Sequence, residues 1–321
     1  MNHKIGSNNI DTYLRPATWS EFIGQDKVKK KLDLIVRAAM SRNEVCDHLL
    51  FYGQSGLGKT TLAHLVANRM NAPIKTVTGP ALEKPGDLAA ILTNLEAGDI
   101  LFIDEVHRLN KQAEELLYPA MEKRKFYVTI GKGPSARLLS FDLPPFTLIS
   151  ATTKINLLSS PFRSRFGGIF RLSFYPLRDI EKIIERSAKL LNVKIKPEAI
   201  KILARASRYT PRIANRLLKR ARDYTEVYHL KVITRSVAEK TLNLLEIDKF
   251  GLGPADRNLI RVIINKFNGG PVGVKILAAV LGEDFSTIED FYEPFLIKQG
   301  FLVRTPRGRM VTKKAYQYYS R

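Results

Sequence analysis

The octapeptide Gly53-Gln54-Ser55-Gly56-Leu57-Gly58-Lys59-Thr60 constrains this chain more than any other stretch. It fits G-x-x-x-x-G-K-[ST], in which the glycines let the backbone curl until its N–H groups point inward at phosphate oxygens. The apolar run His48-Leu49-Leu50-Phe51-Tyr52 precedes it, and a helical pattern from Thr60 to Met70 follows. A strand, a phosphate loop through Gly56 and Gly58, and a helix offering its positive dipole end are therefore expected here. In that setting Lys59 belongs on the β- and γ-phosphates of a bound nucleotide and the Thr60 hydroxyl on Mg²⁺.

A second signal reinforces the first. Ile100-Leu101-Phe102-Ile103-Asp104-Glu105 is an apolar strand that ends in two acids. A carboxylate at the carboxyl end of a strand beside a phosphate loop can hold Mg²⁺, which gives Asp104 a metal-binding role beside Thr60. The next acid, Glu105, can orient the attacking water. Ala151-Thr152-Thr153 closes another expected strand, where either hydroxyl can meet the γ-phosphate. Arg163 and Arg165 follow, and an arginine that neutralises charge during phosphoryl transfer can come from a neighbouring subunit. Thr210-Pro211-Arg212 opens a helix with a cation in its first turn. That position disfavours positive charge, so Arg212 is expected to meet an anion such as phosphate.

The first third of the chain alternates strand-like and helical segments. Asp26 to Met40 has apolar residues at helical spacing, as does Gly86 to Leu95. Ile74–Val77, Asp99–Ile103 and Phe146–Ala151 read as strands without in/out alternation, the signature of a parallel sheet covered on both faces. The expected fold is thus α/β to residue 175, with a hairpin, 126–143, inserted before the last strand. Its flanks Phe126–Ile130 and Arg137–Leu143 carry apolar residues that suggest a patch for a partner. From 176 to 247 only helical patterns occur. From 248 onward, a linker leads to helices near 256–267, 273–281 and 287–299, then strands Phe301–Arg304 and Met310–Thr312, the layout of a winged helix. Three acids on 287–299 make that helix a poor guest in a DNA groove. Arg304, Arg307 and Arg309 on the hairpin are the better phosphate readers.

Composition narrows the class of protein. The formal net charge is +21, spread as +7, +9 and +5 over residues 1–175, 176–247 and 248–321. No detachable basic tail explains it, so a polyanion touched by the whole body is expected, with salt-sensitive binding. The single cysteine, Cys46, excludes an internal disulfide or a cysteine-based zinc site. No apolar run approaches the roughly 18 residues of a spanning helix. The opening residues Met1–Ser7 lack the apolar stretch of a signal peptide. A cytoplasmic, membrane-free enzyme or DNA-handling protein is the class that fits.

With these residues in hand, the chain resembles the AAA+ class and, within it, the RuvB family of Holliday-junction branch-migration motors. The likeness runs from Tyr13 to Tyr319. It is carried by Leu14-Arg15-Pro16, Glu21-Phe22-Ile23-Gly24-Gln25, the loop through Thr60-Thr61-Leu62-Ala63-His64 and Asp104-Glu105-Val106-His107-Arg108-Leu109. Pro211–Arg216 adds to it, and the hairpin segment 130–136, Gly269–Gly273 and 299–309 are the more specific parts. The resemblance implies an AAA+ P-loop domain, a small all-helical lid and a C-terminal winged-helix domain. It implies a homohexamer with ATP between subunits, near Leu14, Arg15, Thr61, Tyr175 and Arg212. It further implies Arg165 reaching a neighbour's site, the 126–143 hairpin docking on RuvA, Arg304 and Arg309 tracking double-stranded DNA at Holliday junctions, and work alongside the junction resolvase. Where the family carries other residues, this chain has Trp19, Gln54-Ser55, Ser150 and Tyr209. The last two stand where glycine is usual, so the backbone of both sensor segments is where a difference is expected.

A clamp loader or initiator would share the first two motifs without translocating. The absence of a cysteine zinc cluster disfavours many clamp-loader subunits. A protein unfoldase is disfavoured because no aromatic-hydrophobic-Gly loop lies between the two nucleotide motifs.

Overall fold

Three of the apolar runs become the interior of one sheet. The computed structural model describes residues 10–130 and 137–320. The start of the chain and the expected hairpin turn 131–136 lie outside the described residues. The chain divides into two units, Met1–Tyr175 and Pro176–Arg321.

The first unit opens with a short helix α1 (Ile10–Tyr13) and then α2 (Asp26–Ser41), which buries Leu32, Val36 and Ala39. Its sheet is built from β1 (Leu49–Tyr52), β2 (Ile74–Thr78), β3 (Ile100–Asp104), β6 (Thr147–Thr152) and β7 (Gly168–Arg171), all parallel in the order β2-β3-β6-β1-β7. Every residue of β6 is buried, as are Ile100–Ile103 of β3 and Leu49–Phe51 of β1. That explains why these runs lack the alternation of a half-solvated strand. Helices α3 (Lys59–Met70), α4 (Pro85–Thr93) and α5 (Lys111–Lys123) connect the strands. The ribbon β4 (Lys125–Ile130) and β5 (Arg137–Asp142) forms a separate antiparallel pair, and α6 (Ser160–Arg163) precedes β7. Leu101, Ile103, Leu117, Phe126, Phe146 and Phe162 share one core, so the ribbon is rooted in the body of the unit by Phe126.

The second unit begins with four helices, α7 (Leu177–Leu190), α8 (Pro197–Ala206), α9 (Pro211–Val227) and α10 (Arg235–Leu244). Thr234 caps the last of them, its hydroxyl accepting from the Val237 N–H as expected of an N-cap. Asp248 then organises the connection. One carboxylate oxygen accepts from the Phe250 and Leu252 N–H groups, and the other from the Tyr318 hydroxyl. Beyond it come α11 (Pro254–Phe267), α12 (Val274–Leu281), α13 (Phe285–Thr287), a π-helical turn Ile288–Tyr292 and α14 (Glu293–Gln299). Strands β8 (Leu302–Thr305) and β9 (Gly308–Val311) form the wing, and α15 (Lys313–Tyr319) closes the unit. Its core gathers Leu259, Ile263, Phe295, Leu296 and Phe301.

Five elements go beyond the sequence expectations, namely α1, α5, α6, β7 and α15. The expected helix 287–299 is one helical stretch with a wider turn at its centre. Ser150, flagged as a departure, sits in mid-strand, paired with Leu50 and Ile103. Its backbone is ordinary; the difference is a buried hydroxyl without a hydrogen-bond partner. Tyr209 has φ +57°, the left-handed conformation that glycine adopts freely.

Candidate functional site

The parallel order places three strand ends side by side. β6 lies between β3 and β1, so Asp104-Glu105, Thr152-Thr153 and the loop after Tyr52 share one edge. Carboxyl ends of parallel strands are where open α/β sheets bind ligands. The loop itself can only be built with glycine at two points. Gly53 has φ +143°, and a Cβ there would stand 2.5 Å from the Leu172 carbonyl oxygen. Gly58, the N-cap of α3, has φ +99° and packs on Phe22 and Tyr175. The Tyr175 hydroxyl donates to the Leu57 carbonyl at 3.1 Å, bracing the loop from behind.

Lys59 is buried and lays its ammonium along the loop, donating to the Gly53 carbonyl at 2.9 Å and the Gln54 carbonyl at 3.1 Å. Thr60 donates its hydroxyl to Asp104 Oδ2 at 2.9 Å. Asp104 Oδ1 accepts from the Glu105 N–H at 2.9 Å. Glu105 has φ +50°, a bend that turns its side chain out of the strand line. Its carboxylate oxygen Oε2 accepts from the Thr153 hydroxyl at 3.1 Å and lies 3.3 Å from His107 Nδ1.

The two threonines separate cleanly. Thr152 is fully buried, meets His107 Nδ1 at 2.9 Å and accepts from the Lys154 N–H. Thr153 is the one in contact with Glu105. His107 therefore touches both the acid and the buried threonine, and its place in Asp104-Glu105-Val106-His107 acquires a physical purpose. Gly79 is a residue that sequence reasoning missed. A Cβ on it would stand 2.4 Å from the Glu105 carbonyl, so only glycine lets the bend at Glu105 close against β2. The one available signal was its place just after a strand neighbouring β3. Leu14 is buried and Thr61 half-buried on α3. His64, one turn along α3, is held below the ordinary imidazole range by burial and by the nearby Arg15.

Arg165 stands elsewhere in the same unit. Its guanidinium lies 4.5 Å over the Tyr118 ring, pairs with Glu122 at 3.1 Å and donates to the Pro161 carbonyl. Tyr118 is fixed in turn, donating to Glu114 at 2.6 Å and meeting Ser159 at 2.9 Å. Arg165 lines a cavity of about 1100 Å³ together with His48, Ile100 and Thr147, the residues at the amino ends of the strands. It is thus on the opposite edge of the sheet from Lys59, about 15 Å of strand away. Arg212 belongs to the second unit, exposed in the first turn of α9 after the N-cap Thr210.

The wing arginines divide. Arg304 and Arg307 are exposed. Arg309, expected with them among the DNA contacts, is 7% exposed and enclosed by Glu293 and Glu289. Arg304 and Arg309 face each other across the ribbon, and Glu289 bridges them at 3.0 and 2.7 Å. The acids between 287 and 299 neutralise this like-charge pair, which would otherwise destabilise the wing. Arg309 is accordingly withdrawn from the direct phosphate contacts.

Family models match the chain in sequence. The Holliday junction DNA helicase RuvB P-loop domain matches residues 14–172, the RuvB AAA lid domain 175–248 and the RuvB C-terminal winged helix domain 249–320. The chain belongs to the RuvB family. It is similar to the solved structure of Thermotoga maritima RuvB, titled a Holliday junction branch migration motor, at 49% identity and a TM-score of 0.88. That alignment covers 96% of this chain and 98% of the other. A substituted variant of the same Thermotoga RuvB gives 49% identity and a TM-score of 0.89 over the same shares. A RuvB-family P-loop domain brings ATP binding with it. No helix among the described residues is long and apolar enough to cross a membrane.

Proposed function

We propose that this RuvB-family protein hydrolyses ATP and uses it to move double-stranded DNA at Holliday junctions. The single observation that carries this is the linked set Lys59, Thr60–Asp104 and Glu105–Thr153 at one edge of the sheet. A hydroxyl and a carboxylate oxygen 2.9 Å apart are hard donors suited to Mg²⁺, which usually takes one or two protein oxygens and keeps its other positions for phosphate and water. Magnesium held by Thr60 and Asp104 would neutralise charge on the transferring phosphoryl group. Lys59 supplies positive charge to the same phosphates. Glu105 orients and deprotonates the attacking water, and Thr153 holds Glu105 in the direction its hydrogen bond sets. Thr152 supports His107 from below rather than touching the nucleotide.

Arg165, on the far edge of its own sheet, serves a neighbouring subunit's nucleotide. That requires a ring, here a homohexamer, with ATP between subunits beside Leu14, Arg15, Thr61 and Tyr175 and with Arg212 sensing the phosphate. We read the chain as a large ATPase domain (1–175), a small helical domain (176–247) and a winged-helix domain (248–321). In this reading Arg304 and Arg307 track the DNA backbone, the 126–143 ribbon docks on RuvA, and the resolvase joins the same cytoplasmic assembly.

The test is a synthetic four-way junction with ATP and magnesium, with and without RuvA. Branch migration stimulated by RuvA and absent from Lys59→Ala is expected. Mixed rings of Lys59→Ala and Arg165→Ala subunits should regain turnover, because some interfaces then carry both groups. No junction movement by folded protein, or no regain in rings shown to be mixed, overturns the proposal.

A further inference from the structure

Between α8 and α9 the chain makes a bend that sterics disfavour. Arg208 and Tyr209 are consecutive, neither is glycine, and both are left-handed, at φ +54° and +57°. L-residues enter that region singly and at a cost, so a pair of them must be held by something outside the bend.

The holder is the segment that carries the wing. The Arg208 guanidinium donates to Asp256 Oδ2 at 3.1 Å and to the Phe291 carbonyl at 2.8 Å. It is sandwiched between the rings of Phe291 and Phe295, 4.5 and 4.3 Å from their centroids. Asp256 is buried in the first turn of α11, where the same Oδ2 also accepts the Gly253 N–H. Burial raises the Asp256 carboxyl and lowers the Arg208 guanidinium from their usual ranges, while each charge favours the other's ionised form. Tyr209 packs against the winged-helix core, and Lys298 lies over its ring. Two successive side chains of one loop are thus anchored in the wing-bearing segment. The chain then passes through buried Thr210, which bonds the Ser207 carbonyl, into the turn of α9 that carries Arg212.

We infer that Arg208 is a positioning residue for Arg212: its clasp on Asp256 and the Phe291–Phe295 pair sets the bend from which α9 starts, and so links DNA contact at the wing to the nucleotide-sensing end of that helix. This rests on the proposed sensing role of Arg212. A planar, delocalised cation is required, since a lysine cannot stack between two rings while forking to a carboxylate and a carbonyl.

The decisive quantity is the stimulation ratio, ATP turnover with long duplex DNA divided by turnover without it. The comparison uses full-length protein, Arg208→Lys, the paired variant Arg208→Met with Asp256→Leu, and Arg212→Ala. The paired variant leaves no buried charge unmatched, so it stays folded if the single variant does not. Both Arg208 variants are expected to lose the stimulation ratio about fivefold or more, the low end of ordinary coupling between sites, with DNA affinity within about twofold. An unchanged ratio in folded Arg208 variants, beside an impaired Arg212→Ala, overturns the clasp alone. A loss of ratio fully matched by a loss of DNA affinity also overturns it. An Arg212→Ala protein with unaltered KM for ATP and unaltered turnover removes the sensing role, and the clasp's purpose with it.

Discussion

Two short antiparallel ribbons, one in each unit, present opposite chemistries. The β4–β5 ribbon is anchored by buried Phe126, which stacks at 4.9 Å on its cross-strand partner Phe141, while Phe141 itself and Leu139 further out are partly exposed. The β8–β9 wing keeps its hydrophobic Leu302 and Val311 inside and turns Arg304 and Arg307 outward. In the first, exposed apolar area asks for a protein surface. In the second, exposed guanidinium groups on a ribbon held electrically neutral at its base ask for phosphate. Backbone architecture alone does not assign a partner; the side chains left outside after the core is satisfied do.

The largest expected effect sharpens the division inside the wing. Arg309→Ala leaves buried Glu293 without its cation and should destabilise the second unit by about 3–5 kcal/mol, read by urea denaturation. Exposed Arg304→Ala should cost less than about 1 kcal/mol. Equal losses would erase the distinction between internal and external arginines.

Next is the apolar ribbon. If the ribbon docks on RuvA as proposed, Leu139→Asp should weaken that binding by about 2 kcal/mol, roughly thirtyfold, as expected of a central interface residue, while salt dependence of DNA binding stays as it was. RuvA affinity that survives the substitution would detach the ribbon from that partner. The smallest effect belongs to the wing tip. Arg304→Ala and Arg307→Ala should each lower the log–log salt slope of DNA binding by about 1, uniformly across sequences. A change that depended on DNA sequence instead would make the tip a base reader.

What could be read from the sequence follows the range of the interactions. The phosphate loop is legible because its glycines, lysine and threonine act within eight residues, and strands β1, β3 and β6 because burial on both faces removes alternation. Helix α5 is hidden by Pro119, which interrupts a helical pattern in mid-course. The pairing of Arg309 with Glu293 and Glu289 spans 16 and 20 residues and is fixed only by packing, so three acids on a helix pointed away from DNA without showing what they hold. The stack of Arg165 on Tyr118 is equally non-local. Ser150 and Tyr209 were legible as departures, but not their consequences: one is a buried hydroxyl in an ordinary strand, the other half of a bend anchored from outside.

One variant tests the core chemistry most directly. Glu105→Gln keeps the shape and the hydrogen bond from Thr153 but removes the proposed base, so ATP with magnesium should still be retained at near-native affinity. Its turnover should fall by about a hundredfold or more, the usual share of general-base catalysis. A Glu105→Gln protein that hydrolyses ATP at the unmodified rate would contradict the assignment of this site.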